Sequence, residues 1–142
     1  METKEQQIIL VKTTINAPID SVWQKWNSPE DITKWYNASE DWHTPKAEND
    51  LKVGGKFSYR MEAKDGSFGF DYWGIYDLII PNKKLVFTLG DNRKVYISFS
   101  TMDNKTEIVE SFEPENQNPH DMQQAGWQAI LDNFKKYIEN NI

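Results

Sequence analysis

The residue with the clearest chemical potential is Glu110, in the run Thr106 to Phe112, where it shares parity with Ile108 and Phe112. Side chains alternate along a strand, so this spacing places a carboxylate on an apolar face. A carboxyl withdrawn from water keeps its charge only with a cationic or hydrogen-bonding partner. Three outcomes follow from the pattern. Glu110 pairs with an inward Lys or Arg, strand twist turns it to solvent, or it stays buried with a raised pKa. In the last case it can orient a ligand hydroxyl or act as a general base. The first two are the ordinary fates of such a residue, and the sequence leaves all three open.

Other routes to chemistry are poorly supplied. The chain has no cysteine, hence no disulfide, no thiolate nucleophile and no Cys-based zinc or iron–sulfur site. Its two histidines, His43 and His120, lie far apart and form no His-x-x-x-His pair, so no metal is expected. His120 falls in the first turn of a helix, facing water. His43, beside Trp42, belongs to a loop or to the mouth of a cavity. There is no Gly-x-Ser-x-Gly elbow, and Val53-Gly54-Gly55-Lys56 lacks the spacing of a phosphate loop. No cofactor is expected.

Composition narrows the partners. The formal net charge is −6, so a phosphate backbone is repelled and no nucleic-acid partner is expected. The segment Met1–Gln7 lacks the apolar stretch of a signal peptide. The apolar run Ile8-Ile9-Leu10-Val11 is far below the ~20 residues that span a bilayer. A cytoplasmic protein without a membrane span is the expectation, and 142 residues suit a single domain, 1–142.

The elements that must position these groups are legible from periodicity. Ile8 to Ile15 reads as a strand with Ile9, Val11, Thr13 and Ile15 inward. Two short helices follow, one carrying Ile19, Val22, Trp23 and Trp26, the other capped by Ser28-Pro29 with Ile32, Trp35 and Tyr36 on one face. Trp42 to Ala47 reads as an irregular edge strand, and Lys56 to Ala63 as an alternating one. The long strand Phe68 to Ile80 has Asp71 and Asp77 facing solvent, which puts Phe70, Tyr72, Gly74, Tyr76 and Leu78 inside. Turns at Pro81-Asn82, Asp91-Asn92 and Asp103-Asn104 separate the strands that follow, a meander of hairpins. Asn118 as cap and Pro119 as first residue open a last helix, whose stripe is Trp127, Ile130, Leu131, Phe134 and Ile138. One amphipathic helix against an antiparallel meander is a two-layer α+β domain.

Six Trp, six Tyr and seven Phe supply much of the buried surface. A helix laid on a curved sheet touches it best along one line, and bulky rings leave space beside that line. The inward set is Tyr59, Met61, Tyr76, Phe87, Phe99, Glu110 and Trp127, with Met122 near the helix start. These residues either line an apolar pocket or form plain core.

The order and spacing of several short segments resemble a known family. They are Asn16-Ala17-Pro18 with Val22-Trp23, Trp35-Tyr36, Asp50-Leu51-Lys52-Val53-Gly54-Gly55-Lys56-Phe57, Gly74-Ile75-Tyr76 with Pro81, and Leu85-Val86-Phe87-Thr88. Gly126-Trp127 and Ile130-Leu131-Asp132-Asn133-Phe134-Lys135-Lys136-Tyr137 complete the set. The chain resembles the START-like, birch-pollen-allergen-like helix-grip (SRPBCC) superfamily, in the branch of homologues of the activator of the heat-shock-protein-ninety ATPase. The resemblance implies about seven antiparallel strands gripping the C-terminal helix around a cavity. It also implies a small apolar ligand such as a lipid, flavonoid or polyketide. Some relatives are cyclases, which makes a cyclase or dehydratase using cavity acid/base groups a second expectation. A chaperone-associated interaction protein is a third. The eukaryotic co-chaperone has a further N-terminal domain for which this length leaves no room, so binding of a ligand, without catalysis, is the leading expectation.

Overall fold

The computed structural model describes residues 8–140; the segment Met1–Gln7 and the last two residues of the expected helix lie outside that range. Strand β1 (Ile9–Ile15) leads into helices α1 (Ile19–Asn27) and α2 (Pro29–Trp35). Six strands follow: β2 (Trp42–Asn49), β3 (Lys56–Ala63), β4 (Gly69–Ile80), β5 (Lys84–Leu89), β6 (Lys94–Met102) and β7 (Lys105–Phe112). Helix α3 (His120–Glu139) ends the order. The strands form one antiparallel sheet in the order β1-β7-β6-β5-β4-β3-β2. Strands β2 to β7 are a meander of neighbours. Only β1 pairs out of sequence, beside β7, so α1 and α2 carry the chain from one edge of the sheet to the other. This is the expected helix-grip α+β fold.

The alternation read from sequence sets the faces. Ile9, Val11 and Ile15 of β1 and Ile108, Glu110 and Phe112 of β7 are buried, as are Val95, Ile97 and Phe99 of β6. The tight β6–β7 turn needs two consecutive left-handed residues, and Asp103 and Asn104 take them with φ of 48° and 69°. Single left-handed asparagines turn the two earlier hairpins, Asn82 between β4 and β5 with φ 62° and Asn92 between β5 and β6 with φ 72°.

Strand β4 departs from its expected alternation. Its pairing steps from Tyr76↔Phe87 to Leu78↔Val86, so Asp77 is an extra residue and the parity inverts beyond it. Leu78, expected inside, is 39% exposed, while Ile79 packs on the core in its place. Phe70 keeps the inward parity but stands at the strand's far end, 42% exposed, with its ring 6.0 Å from that of Trp42. The edge strand β2 is irregular as expected, with a register shift between His43 and Lys46, around Pro45.

Helix α3 starts one residue later than expected, with Pro119 as its cap. Gln123 holds the approach to it. Its Nε2 donates to the carbonyls of Glu115 (3.0 Å) and Asn118 (2.8 Å), and its Oε1 accepts from Glu115 N (3.0 Å). Leu131, Phe134 and Ile138 are fully buried, and the Phe134 ring lies 4.5 Å from that of Trp35 and 4.9 Å from that of Trp26. The polar flank of α3 covers the free edge of β1. Gln124 Nε2 donates to Leu10 O (3.0 Å), Gln128 pairs with the backbone of Lys12, Lys135 Nζ donates to Thr14 O (2.6 Å), and Asn16 N donates to Glu139 Oε2 (2.9 Å). An uncovered edge strand invites pairing with another chain, and this flank occupies the groups that would do so.

Candidate functional site

Between sheet and helices the rings leave two spaces. The inner one is about 10 Å³, room for about one water. Tyr59 of β3, Tyr72 and Tyr76 of β4, Phe87 of β5 and Glu110 of β7 line it, with Trp26 of α1 and Tyr36 at the end of α2 closing it. It is small because α1, α2 and α3 push Trp26, Trp35 and Phe134 into the concavity. The outer space, about 230 Å³, lies beside Trp127 and Ile130 of α3 and is lined by Tyr36, Met61, Phe70, Tyr72 and Arg93. Tyr36 and Tyr72 border both.

Glu110 is the exceptional group. It is only 6% exposed. Among the described residues no hydrogen bond or ion pair reaches its carboxyl, so neither ordinary fate of a strand carboxylate applies. Desolvation alone pushes its pKa up to about 8. Near neutral pH it is therefore largely a neutral acid, able to donate one hydrogen bond and accept another.

The hydroxyls around it differ in how well they are satisfied. Tyr76 Oη donates to Asn49 Oδ1 at 2.6 Å, and Asn49 Nδ2 donates to Asn27 O at 2.8 Å. Tyr72 Oη is buried and, among the described residues, completes no hydrogen bond of good geometry, with the Tyr36 hydroxyl close enough to act on it. Burial raises the phenols of Tyr36 and Tyr59 far above their ordinary range, with Tyr72 and Tyr76 respectively adding to the effect and Glu110 contributing to both. Such phenols stay protonated and serve only as neutral hydrogen-bonding groups.

Trp127 forms the floor of the outer pocket. It stacks on Phe112 with centroids 3.7 Å apart and planes at 11°, and presents an edge to Tyr72 at 6.3 Å. Arg93, in the β5–β6 hairpin, is the charged side chain of this lining.

The eight residues singled out from sequence divide as follows. Tyr59, Tyr76, Phe87 and Glu110 surround the inner void; Met61 and Trp127 line the outer pocket. Phe99 is core, packed against Trp23 and Trp26 at 5.2 and 5.8 Å, and borders neither space. Met122, expected inward, is 60% exposed, because it sits in the first turn of α3 on the flank away from the sheet. Sequence reasoning placed Tyr36 and Tyr72 on inward faces without assigning them to the site. Arg93 carried no periodic signal, since it follows a turn. His43 lies on the edge strand, half exposed and 3.9 Å from Glu62, and His120 is exposed; neither borders the two spaces. Among the described residues no group of acids and histidines is spaced to hold a metal ion, and no helix is long and apolar enough to cross a membrane.

Comparison with known proteins gives a consistent assignment. The family model described as Activator of Hsp90 ATPase homolog 1-like protein matches residues 16–139. An AHSA1-like protein from Aeromonas hydrophila is 42% identical, with 94% of this chain and 93% of that one covered and a TM-score of 0.89. A protein from Cytophaga hutchinsonii is 53% identical over 94% and 92%, with a TM-score of 0.82. A protein from Nitrosomonas europaea, 16% identical over 97% of each chain, shares the fold with a TM-score of 0.81. No protein with a curated description matches.

Proposed function

Since the chain belongs to the family of Activator of Hsp90 ATPase homolog 1-like proteins, whose fold commonly encloses a ligand cavity, we propose that it binds a small aromatic or otherwise apolar molecule between the sheet and α3. Lipids, polyketides and flavonoid-like compounds are the classes to consider. The observation that carries this reading is Glu110, a buried acid without a partner among the described residues, inside a shell of rings. Leaving such a group unpaired costs stability, and a ligand hydroxyl reaching it recovers the lost hydrogen bond. Ligand pockets have this composition, mostly apolar with a few convergent polar groups. The outer pocket, at about 230 Å³, falls just below the roughly 300 Å³ at which such sites begin. A ligand therefore enters beside Trp127 and reaches Glu110 by displacing the Tyr36 and Tyr72 rings.

The test is a screen of lipids, flavonoids and aromatic polyketides followed through amide NMR shifts. Shifts at Tyr36, Tyr72, Glu110 and Trp127 are expected. Shifts confined to the outer face of the sheet would remove the reading, as would none.

A second reading, a cyclase or dehydratase, is favoured by the pKa of Glu110, which at about 8 suits a group that exchanges protons near neutrality. It requires product formation that Glu110→Gln suppresses, whereas a binding protein shows no turnover to lose.

A further inference from the structure

We propose that the outer pocket takes an aromatic molecule carrying an acidic group, the anion held by the Arg93 guanidinium and the ring lying among Phe70, Tyr72 and Trp127. This rests on the ligand-binding reading above and specifies the class of ligand.

A guanidinium has five N–H groups. Arg93 Nε donates to Asp91 Oδ2 at 2.7 Å and Nη1 donates to Glu113 O at 3.3 Å. Among the described residues, no other acceptor takes the remaining N–H groups. These two bonds fix the plane of the head group, with the side chain only 22% exposed. Donors held in a fixed fork and left free are suited to a carboxylate or phenolate oxygen.

Arg93 borders the outer pocket and also a neighbouring pocket of about 230 Å³ between Trp73, Leu89 and Gly90. Both share Phe70 and Tyr72 with it, so the guanidinium stands where the two meet. Its charge is felt at Tyr72, where it favours the ionised phenol against burial. The carboxylates around Arg93 are already engaged: Asp91 with Arg93 itself, Asp71 with Arg60 at 3.5 Å, Glu113 with Lys94 N, and Glu115, whose carboxyl also feels the Arg93 charge, with the amides of Gln117 and Asn118. The chain as a whole carries −6 and repels anions, so an acidic ligand needs a local cation, and the lining of this pocket supplies one. The far end of the same molecule meets Glu110, which asks for a hydroxyl. A hydroxylated aromatic acid satisfies both ends.

The experiment compares 4-hydroxycinnamate with its methyl ester and its amide, titrated into the intact protein at neutral pH by calorimetry and amide NMR. The acid is expected to bind about tenfold or more tighter than either neutral analogue, the size of one charge-assisted hydrogen-bonding pair. Its advantage should shrink as salt is raised. Arg93→Gln should abolish that advantage while leaving ester binding in place, and Arg93→Lys should retain part of it. Ester and acid binding equally, or an advantage that survives in Arg93→Gln, overturns the proposal and leaves the ligand-binding reading standing. Binding by none of the three overturns it too, and the broader reading is then decided by its own screen. Should Arg93→Gln lose its native amide dispersion, the salt dependence of the wild-type advantage decides alone: a flat response overturns the proposal.

Discussion

Tyr36 and Tyr72 stack with centroids 5.8 Å apart and planes at 28°, and this pair of rings divides the void beneath Glu110 from the pocket beside Trp127. One ring comes from the end of a helix and the other from mid-sheet. Separating them requires no change in the strand ladder. Replacing Tyr36 by Ala should join the two spaces. An apolar fluorescent probe should then bind more tightly than to wild type, at a stability cost of about 2–4 kcal/mol for a largely buried ring that keeps some exposure. Unchanged probe affinity in a folded variant would show that the rings are not a barrier.

Glu110 makes stability depend on pH in a definite direction. Its folded pKa, about 8, lies above the ordinary value of 4.5. Below about 4.5 both states hold the proton and the folded state has its full advantage. Between 4.5 and 8 the unfolded chain loses the proton first, and stability falls as pH rises. Above 8 the loss is complete, on the order of 5 kcal/mol. Urea denaturation from pH 5 to 9 should show this decline in wild type. Glu110→Gln should flatten it and be the more stable protein at pH 8. A wild-type profile with no decline would mean that the carboxyl is solvated or paired.

Tyr72 and Tyr76 should respond oppositely to loss of their hydroxyls. Tyr76 Oη donates to Asn49, so Tyr76→Phe leaves that acceptor short and should destabilise by about 1 kcal/mol. Tyr72 Oη is buried without a satisfying partner, so Tyr72→Phe should be neutral or stabilising by a similar amount. Thermal unfolding of the two variants side by side gives the answer, and equal losses would refute the contrast.

Gln128 makes a two-bond pair with Lys12 of the edge strand, donating to its carbonyl at 3.0 Å and accepting from its amide at 3.3 Å. Gln128→Leu should free both backbone groups. A stability loss of roughly 1 kcal/mol is expected, with self-association in sedimentation that wild type does not show. A variant as monodisperse as wild type would mean that the rest of the α3 flank protects the edge unaided.

Much of this fold could be read locally, and the failures were non-local. Strict alternation from Tyr76 demands that Leu78 face inward. The extra residue at Asp77 is a property of pairing with β5 that Leu78's own neighbourhood does not display. The place of Met122 near the α3 start predicts an inward side chain, yet only the docking of the helix decides which flank meets the sheet. Arg93 follows a turn and has no period, so its position at the pocket depends on Asp91 and Glu113, the second of which is twenty residues away.

The residues by themselves determined the strand and helix order, the hairpin turns and the inward parity of Glu110, because each depends on spacing within one element. Whether that carboxyl met a cation, reached water or stood alone was decided by tertiary structure. Burial and partners are set by what distant elements bring to one place: Tyr36 from α2, Tyr72 from β4, Trp127 from α3. Packing also decided how much room was left, because Trp26 and Phe134 fill a concavity whose walls alone would have allowed a larger one.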